Sequence, residues 1–218
     1  VRELHWQPET AGMSAIALVP ARTLADTAKA LTGGAQVSIA LTTGDGDATG
    51  HGLIGFTGKG TAGQTGERRT TTRLLDGEYV KYRSLLPDES SAHAQVETPS
   101  FVEAVKRVSL VAPRNTPVRL SFTADQVMLE AGTGEDAQAS ETLDAQFESH
   151  DGSTEEFSIA FNPQYLLDGL GAVDAETTRL EFTTPTKPAI LRGNKAADDD
   201  TPSGDDYRYL LMPVRLSG

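Results

Sequence analysis

The sequence predicts an α+β fold in which single helices lie on antiparallel sheets, and three observations carry that expectation. A strand-like run ending in proline, a short amphipathic helix and three more strand-like runs follow one another twice, around Pro20 and around Pro163. Leu24 and Leu167 sit four residues after those prolines, so the two copies align. Between them stands a third amphipathic helix with its own group of strands, which makes three helix-plus-sheet units rather than alternating single strands and helices.

Each element has a local reason. "SAIALVP" (14–20) reads as a strand, and its closing proline suits a first helical turn, where a missing N–H leaves nothing unpaired. "ARTLADTAKALTG" then places Leu24, Ala28 and Leu31 on one helix face, with Gly33 and Gly34 as the stop. "QVSIALT", "GHGLIGFTG" and "RRTTTRLL" read as three strands. "TPSFVEAVKRVSLVA" (98–112) is the middle helix, opened by Thr98 or Ser100 as cap, and "PVRLSFT", "QVMLEAG" and "SETLDAQFE" follow as strands. The second copy runs "FSIAFNP" (157–163), the helix "QYLLDGLGAV", then "TRLEFTT", "KPAILRG" and "YRYLLMPVRL". Units this small are marginal alone, so the last two are expected to share a core, while the first lacks a partner. "LLDGEYVKYRSLLPDESSAH" (74–93) separates them as a linker.

Composition narrows the function. The chain has 218 residues, no cysteine and a net charge of −12. Disulfides, thiolate nucleophiles and Cys-ligated zinc are excluded, which suits a cytoplasmic protein. No apolar run approaches the length of a membrane helix, and no basic–apolar leader opens the chain. Residues 1–90 carry 9 Lys/Arg against 10 Asp/Glu, whereas residues 91–218 carry 10 against 21. The acidity argues against a protein coated in nucleic acid, yet a local basic face remains compatible with it.

Motif-like stretches give no chemistry. "GFTGKGTAG" (55–63) lacks the Ser or Thr after Lys59 that a phosphate loop requires, and "GDGDATG" (44–50) has turn spacing. "DDDTPSGDD" (198–206) reads as a polar loop rather than a cation site. His5, His51, His93 and His150 are scattered without a metal-binding pair, and no nucleophile elbow exists. No cofactor, metal or catalytic residue is assigned, and a non-enzyme is expected. The ending is the informative anomaly: an acidic chain finishes on the apolar strand "YRYLLMPVRLSG".

"TRLLDGEYVKYRSLLP" (72–87), "FNPQYLLDGLGAV" (161–173) and "YRYLLMPVRL" (207–216) together resemble the bacterial sliding clamp, the beta subunit of DNA polymerase III. The resemblance implies a DNA-clamp fold and a C-terminal fragment: residues 1–84 as the second half of clamp domain two, 85–90 as linker, and 91–218 as domain three. Val80 departs from the family, which usually carries proline there. The family forms a homodimeric ring around duplex DNA. It receives linear peptides from the DNA polymerase III alpha subunit, the clamp loader and other clients in a groove that also suits cyclic peptide inhibitors. Carried over, the groove residues are Val80, Ser84 and Leu85 from the linker, with Asn162 and Tyr165 at a helix start. Thr186 and Pro188 come from a hairpin, and Met212, Pro213, Val214, Arg215 and Leu216 from the tail. Arg22, Lys29, Lys106 and Arg107 are expected to face DNA. Leu110 and Val111 match the seam with the second clamp chain. Competing readings are a clamp-like resistance or decoy homologue and, from another class, an α+β hydrolase or transferase.

Overall fold

A computed structural model describes residues 1–4, 12, 14–42, 52–60, 66–111, 116–132, 137–152, 155–194 and 205–215. In chain order the elements begin with β1 (Arg2–Leu4), α1 (Ala21–Ala30), β2 (Val37–Leu41), β3 (Leu53–Lys59) and β4 (Glu67–Arg73). A 3-10 turn (Tyr82–Leu85) precedes β5 (Ala92–Glu97), α2 (Thr98–Ser109), β6 (Val118–Phe122), β7 (Gln126–Gly132) and β8 (Gln138–Ser149). Then come β9 (Phe157–Phe161), α3 (Pro163–Leu170), β10 (Thr177–Phe182), β11 (Ala189–Asn194), β12 (Asp205–Tyr207) and β13 (Tyr209–Leu211). They form two units, Gln7–Lys81 and Val1–Trp6 with Tyr82–Gly218. The first residues join the second unit because β1 pairs antiparallel with β12.

In the first unit, β2, β3 and β4 form an antiparallel meander. Pro20 is the N-cap of α1, and its carbonyl accepts from Leu24 N at 3.0 Å. The small core is Leu31, Ile54 and Phe56, with Ala17, Val19, Leu41 and Leu74 packed on it. Two expectations change here. Thr27 and Leu31 are the inward residues around α1, while Leu24 is 43% exposed, so the buried stripe is rotated toward Thr27. Residues 14–20 form no strand: among the described residues the backbone of 14–19 is met by a single bond, from Leu75 N to Leu18 O at 2.8 Å. Lys59 ends β3, which agrees with rejecting a phosphate loop. The loop 44–50, most of 198–206, His5 and His51 lie outside the described residues.

The second unit is the expected pair of repeats, β5–α2–β6–β7–β8 and β9–α3–β10–β11–β13. Its eight strands run β13-β11-β10-β5-β8-β7-β6-β9, all antiparallel. Each repeat lends its first strand to the other: β5 pairs with β10, and β9 with β6. β8 is long enough to serve both halves, its first part on β7 and its last part on β5. The tail does the same work at the other end. After β13 leaves β11, Pro213 bridges Phe161, and Val214 N donates to Ala160 O at 2.8 Å. The sheet therefore closes on itself, and the C-terminal strand is its closure.

Four phenylalanines meet where the repeats meet. Phe157 and Phe182 have ring centroids 4.8 Å apart, Phe122 and Phe182 5.4 Å, and Phe147 lies 5.8 Å from both Phe122 and Phe157. Rings at these separations add to their area burial. Phe101, Ala104, Val105 and Val108 form the buried stripe of α2 at helical spacing. Its N-cap is Glu97, not Thr98 or Ser100. Thr98 is drawn instead into the core, where its hydroxyl shares a 2.9 Å hydrogen bond with Thr178, and Ser100 donates to the Glu97 carboxylate. β5 lies within and beyond the expected linker and was not legible, because "AHAQVE" lacks the branched and aromatic residues that mark strands. No described helix is long and apolar enough to cross a membrane.

His93 on β5 is buried, and its Nδ1 has no hydrogen-bond partner among the described residues. Burial first, then the Arg179 charge, holds its pKa below the usual 6.5, against the opposing carboxylates of Glu148 and Glu181. Below pH 6.5 the unfolded chain therefore takes the proton before the folded one does, so stability falls as pH drops from that value toward the lower folded pKa. Denaturant titrations between pH 7.5 and 5.5 are expected to show this decline, with a shallower slope in His93→Gln. An identical slope would exclude His93 as the source.

Candidate functional site

The start of α3 is built to hold its position. Asn162 is the N-cap, and its side-chain oxygen accepts from Gln164 N at 2.9 Å and Tyr165 N at 3.4 Å. Pro163 supplies the first helical residue. Tyr165 points out of this turn and is 59% exposed. Because Phe161 faces Pro213, the tail runs beside this helix start.

Strand register brings the remaining tail neighbours in. Ala189 is opposite Leu211, which sets Pro188 next to Met212. Leu211 is buried in the core, whereas Met212 is 61% and Val214 37% exposed. Pro213 and Pro188 are half-buried, Thr186 and Arg215 are exposed, and the Thr186 hydroxyl lies 3.4 Å from that of Thr184. Ser84 and Leu85 belong to the 3-10 turn, and Leu85 is half exposed. Val80 is exposed in the other unit, and Leu216 lies outside the described residues.

The structure thus gathers Asn162, Tyr165, Pro188, Met212, Pro213 and Val214 around one strand end. An apolar strip with a flexible methionine and an amide nearby can accept apolar side chains of an extended ligand.

Three residues that the sequence did not flag fix this strand end. Gly169 faces the Tyr209 ring so closely that a Cβ would lie 2.7 Å from it. The Tyr207 hydroxyl donates to Gly169 O at 3.1 Å, and the two tyrosine rings stack at 6.4 Å. Burial pushes the Tyr207 phenol up to about 12, so it remains a donor. A glycine inside a predicted helix was the available signal, since such a residue is justified by close packing.

The cations expected to meet DNA fall into two kinds. Arg22 and Lys29 are exposed on α1, with no ion-pair partner among the described residues. Lys106 instead donates to Glu103 at 2.8 Å, and Arg107 makes a bidentate contact with Glu141 at 3.0 and 2.5 Å. The Arg107 bond is the main cause holding the Glu141 carboxyl below its usual range. Glu103 was legible at i,i+3 spacing, whereas Glu141 reaches α2 only through the fold. Leu110 follows α2 and is 85% exposed, and Val111 is half-buried.

Comparison with known proteins adds a family. Residues 83–215 match the model of the DNA polymerase III beta subunit, C-terminal domain. Over all 218 residues the chain is 56% identical to the beta sliding clamp of Streptomyces coelicolor, of which it covers 54%. It is 40% identical over 216 residues, or 99% of its length, to the beta sliding clamp homolog GriR of Streptomyces muensis, covering 52% of that protein. The chain therefore spans about half the length of the curated relatives it matches. Among solved structures, the Bacillus subtilis DNA polymerase sliding clamp aligns with a TM-score of 0.71 and 27% identity, over 92% of this chain and 47% of that one. A Bartonella birtlesii sliding clamp bound to griselimycin aligns with a TM-score of 0.60 and 27% identity, over 75% and 39%.

Gly169→Ala is expected to destabilise the second unit by about 1–3 kcal/mol, the usual cost of forcing a group into filled space. The added Cβ has to displace the Tyr209 ring. In Gly169→Ala/Tyr209→Leu the loss should be smaller than the two single losses combined, as a shared contact requires. Urea unfolding of the four proteins tests this, and full additivity would disprove the coupling.

Proposed function

We propose, from the premise that the chain belongs to the bacterial DNA polymerase III beta subunit family, the sliding clamps, that it is the C-terminal part of a clamp that encircles duplex DNA and tethers the replicative polymerase. On this reading residues 1–84 are the second half of clamp domain two, 85–90 the linker and 91–218 domain three. The protein is a non-catalytic processivity factor of the cytoplasm that works as a homodimeric ring. Its clients are the DNA polymerase III alpha subunit, the clamp loader and other proteins bearing short linear motifs. Cyclic peptides are proposed as further ligands of this groove, a reading supported by a sliding clamp of Bartonella birtlesii that was solved bound to griselimycin.

The observation that carries this reading is the strand end itself. Met212 and Val214 remain exposed although their strand closes a sheet, and Tyr165 is exposed on the helix that follows the bridged Phe161. Val80, Ser84, Leu85, Asn162, Thr186, Pro188, Pro213, Arg215 and Leu216 complete the proposed groove. Leu110 and Val111 are proposed to sit at the ring seam. Higher identity to the Streptomyces coelicolor beta sliding clamp than to the beta sliding clamp homolog GriR favours a sliding clamp over a clamp homologue.

The test is a titration of the full-length protein with a peptide from the alpha subunit. Burying one apolar anchor contributes roughly 1.5–3 kcal/mol, so Met212→Ala with Tyr165→Ala should weaken binding about tenfold or more. Unchanged affinity in a folded variant would reject the groove.

The proposed DNA face predicts a salt effect. A duplex phosphate can take the place of the Glu141 carboxylate at Arg107, which is half exposed. Arg107→Gln should then reduce the slope of log K on log salt by about 0.9, the share of one phosphate contact. An unchanged slope would mean that Arg107 does not face DNA.

A further inference from the structure

Strand β1 is only three residues long, yet its side chains reach two other segments of the second unit. Successive residues of a strand point to opposite faces. Arg2 goes one way. Its guanidinium donates to Ala172 O at 3.1 Å, just past the end of α3, and lies 5.3 Å from the Tyr207 ring centre. A cation at a helix C-terminus meets unpaired carbonyls there and is favoured by them.

Glu3 goes the other way. Its carboxylate accepts from the Tyr82 hydroxyl at 2.7 Å and from Arg83 at 3.4 Å, both on the 3-10 turn, and lies 3.7 Å from Arg208. Arg208 stands between β12 and β13, and its backbone N donates to Val1 O at 2.9 Å. Two donors and a further cation, from two separate segments, thus converge on one carboxylate. The Tyr82 bond is the first cause that keeps Glu3 ionised below the usual carboxylate range. A single exposed ion pair adds little, but charge-assisted bonds that share an acceptor restrain the segments they join.

Those segments carry the proposed groove. Ser84 and Leu85 follow Tyr82 and Arg83 directly, Tyr165 is on the helix that Arg2 holds, and Met212 follows the strand beside Arg208. We propose that the dipeptide Arg2–Glu3 is a bracket that positions the walls of the peptide groove: Glu3 sets the 3-10 turn against the last strand, and Arg2 sets α3. This rests on the groove reading above. Neither residue need touch the ligand. Binding is improved by holding the walls in place beforehand, since less ordering remains when the ligand arrives.

Griselimycin, the ligand of the Bartonella birtlesii relative, is the probe, titrated by calorimetry into the full-length protein. Glu3→Ala should weaken it about tenfold, the order expected for losing bonds to a charged acceptor. Glu3→Gln should fall between, because an amide oxygen still accepts from Tyr82 while the charge that holds Arg83 and Arg208 is gone. Tyr82→Phe should weaken binding on its own and by less in the Glu3→Ala background, since the two variants share the Tyr82–Glu3 bond while the Tyr82 hydroxyl also accepts from Arg83. Amide exchange at Tyr82–Leu85 should quicken in each variant while the global unfolding temperature is retained, which a merely stabilising role would not produce. If Glu3→Ala destabilises the fold, Tyr82→Phe and its exchange rates decide alone. Met212→Ala separates the two readings. Affinity lost there but kept in Glu3→Ala and Tyr82→Phe overturns the bracket, and affinity kept in all three overturns the groove as well.

Discussion

An open sheet has two edges, and each presents a row of backbone N–H and C=O groups that must find partners or water. The second unit has β13 at one end of its eight strands and β9 at the other. One short stretch resolves both. Residues 209–211 bond to β11, and residues 213 and 214 cross to β9. Proline fits the crossing because it has no N–H to offer a ladder, and the next residue supplies the donor instead. The position of the tail is therefore fixed by the whole sheet, which is why an exposed methionine can have a defined address at the end of a chain.

Closure also explains the exchange between repeats. If each repeat kept its first strand, the unit would be two small sheets with four edges and two thin cores. Lending β5 and β9 across the pseudo-symmetric junction gives one core, and the four phenylalanines of β6, β8, β9 and β10 sit in it. Gly169 belongs to the same logic. The Tyr207 and Tyr209 rings must lie over α3 for the last strand to reach β11 and β9, and a helix surface without a side chain at that point makes room.

Much of this was legible in advance, and the exceptions share a cause. Helices with a proline at their start and strands rich in branched residues announce themselves locally, as around Pro163 and in "QVMLEAG", which became β7 with the same ends. β5 did not, because its Ala94 and Val96 are buried by neighbours distant in sequence, and its His93 and Gln95 read as loop. The N-cap of α2 shifted for the same reason, Thr98 being claimed by Thr178 eighty residues away. At the candidate site, the family-like tail and helix start were visible as sequence. Glu141, Tyr209 and Glu3 were not, since each acts on a residue that only the fold brings near.

The pairing of α2's cations bears on how an acidic protein could hold DNA loosely. Two positive charges without an ion-pair partner, as Arg22 and Lys29 are among the described residues, attract phosphates with no paired anion to displace. Paired with Glu103 and Glu141, Lys106 and Arg107 cancel at a distance, and a phosphate gains only the difference between itself and a carboxylate. Exchanging one anion for another at a half-exposed arginine gains less than creating a new pair would, because a carboxylate already holds the charge. Contacts of that kind tolerate any base sequence and do not pin the protein to one position. On the clamp reading, weak and replaceable attraction is what a sliding contact requires, and the carboxylates beside the cations supply it.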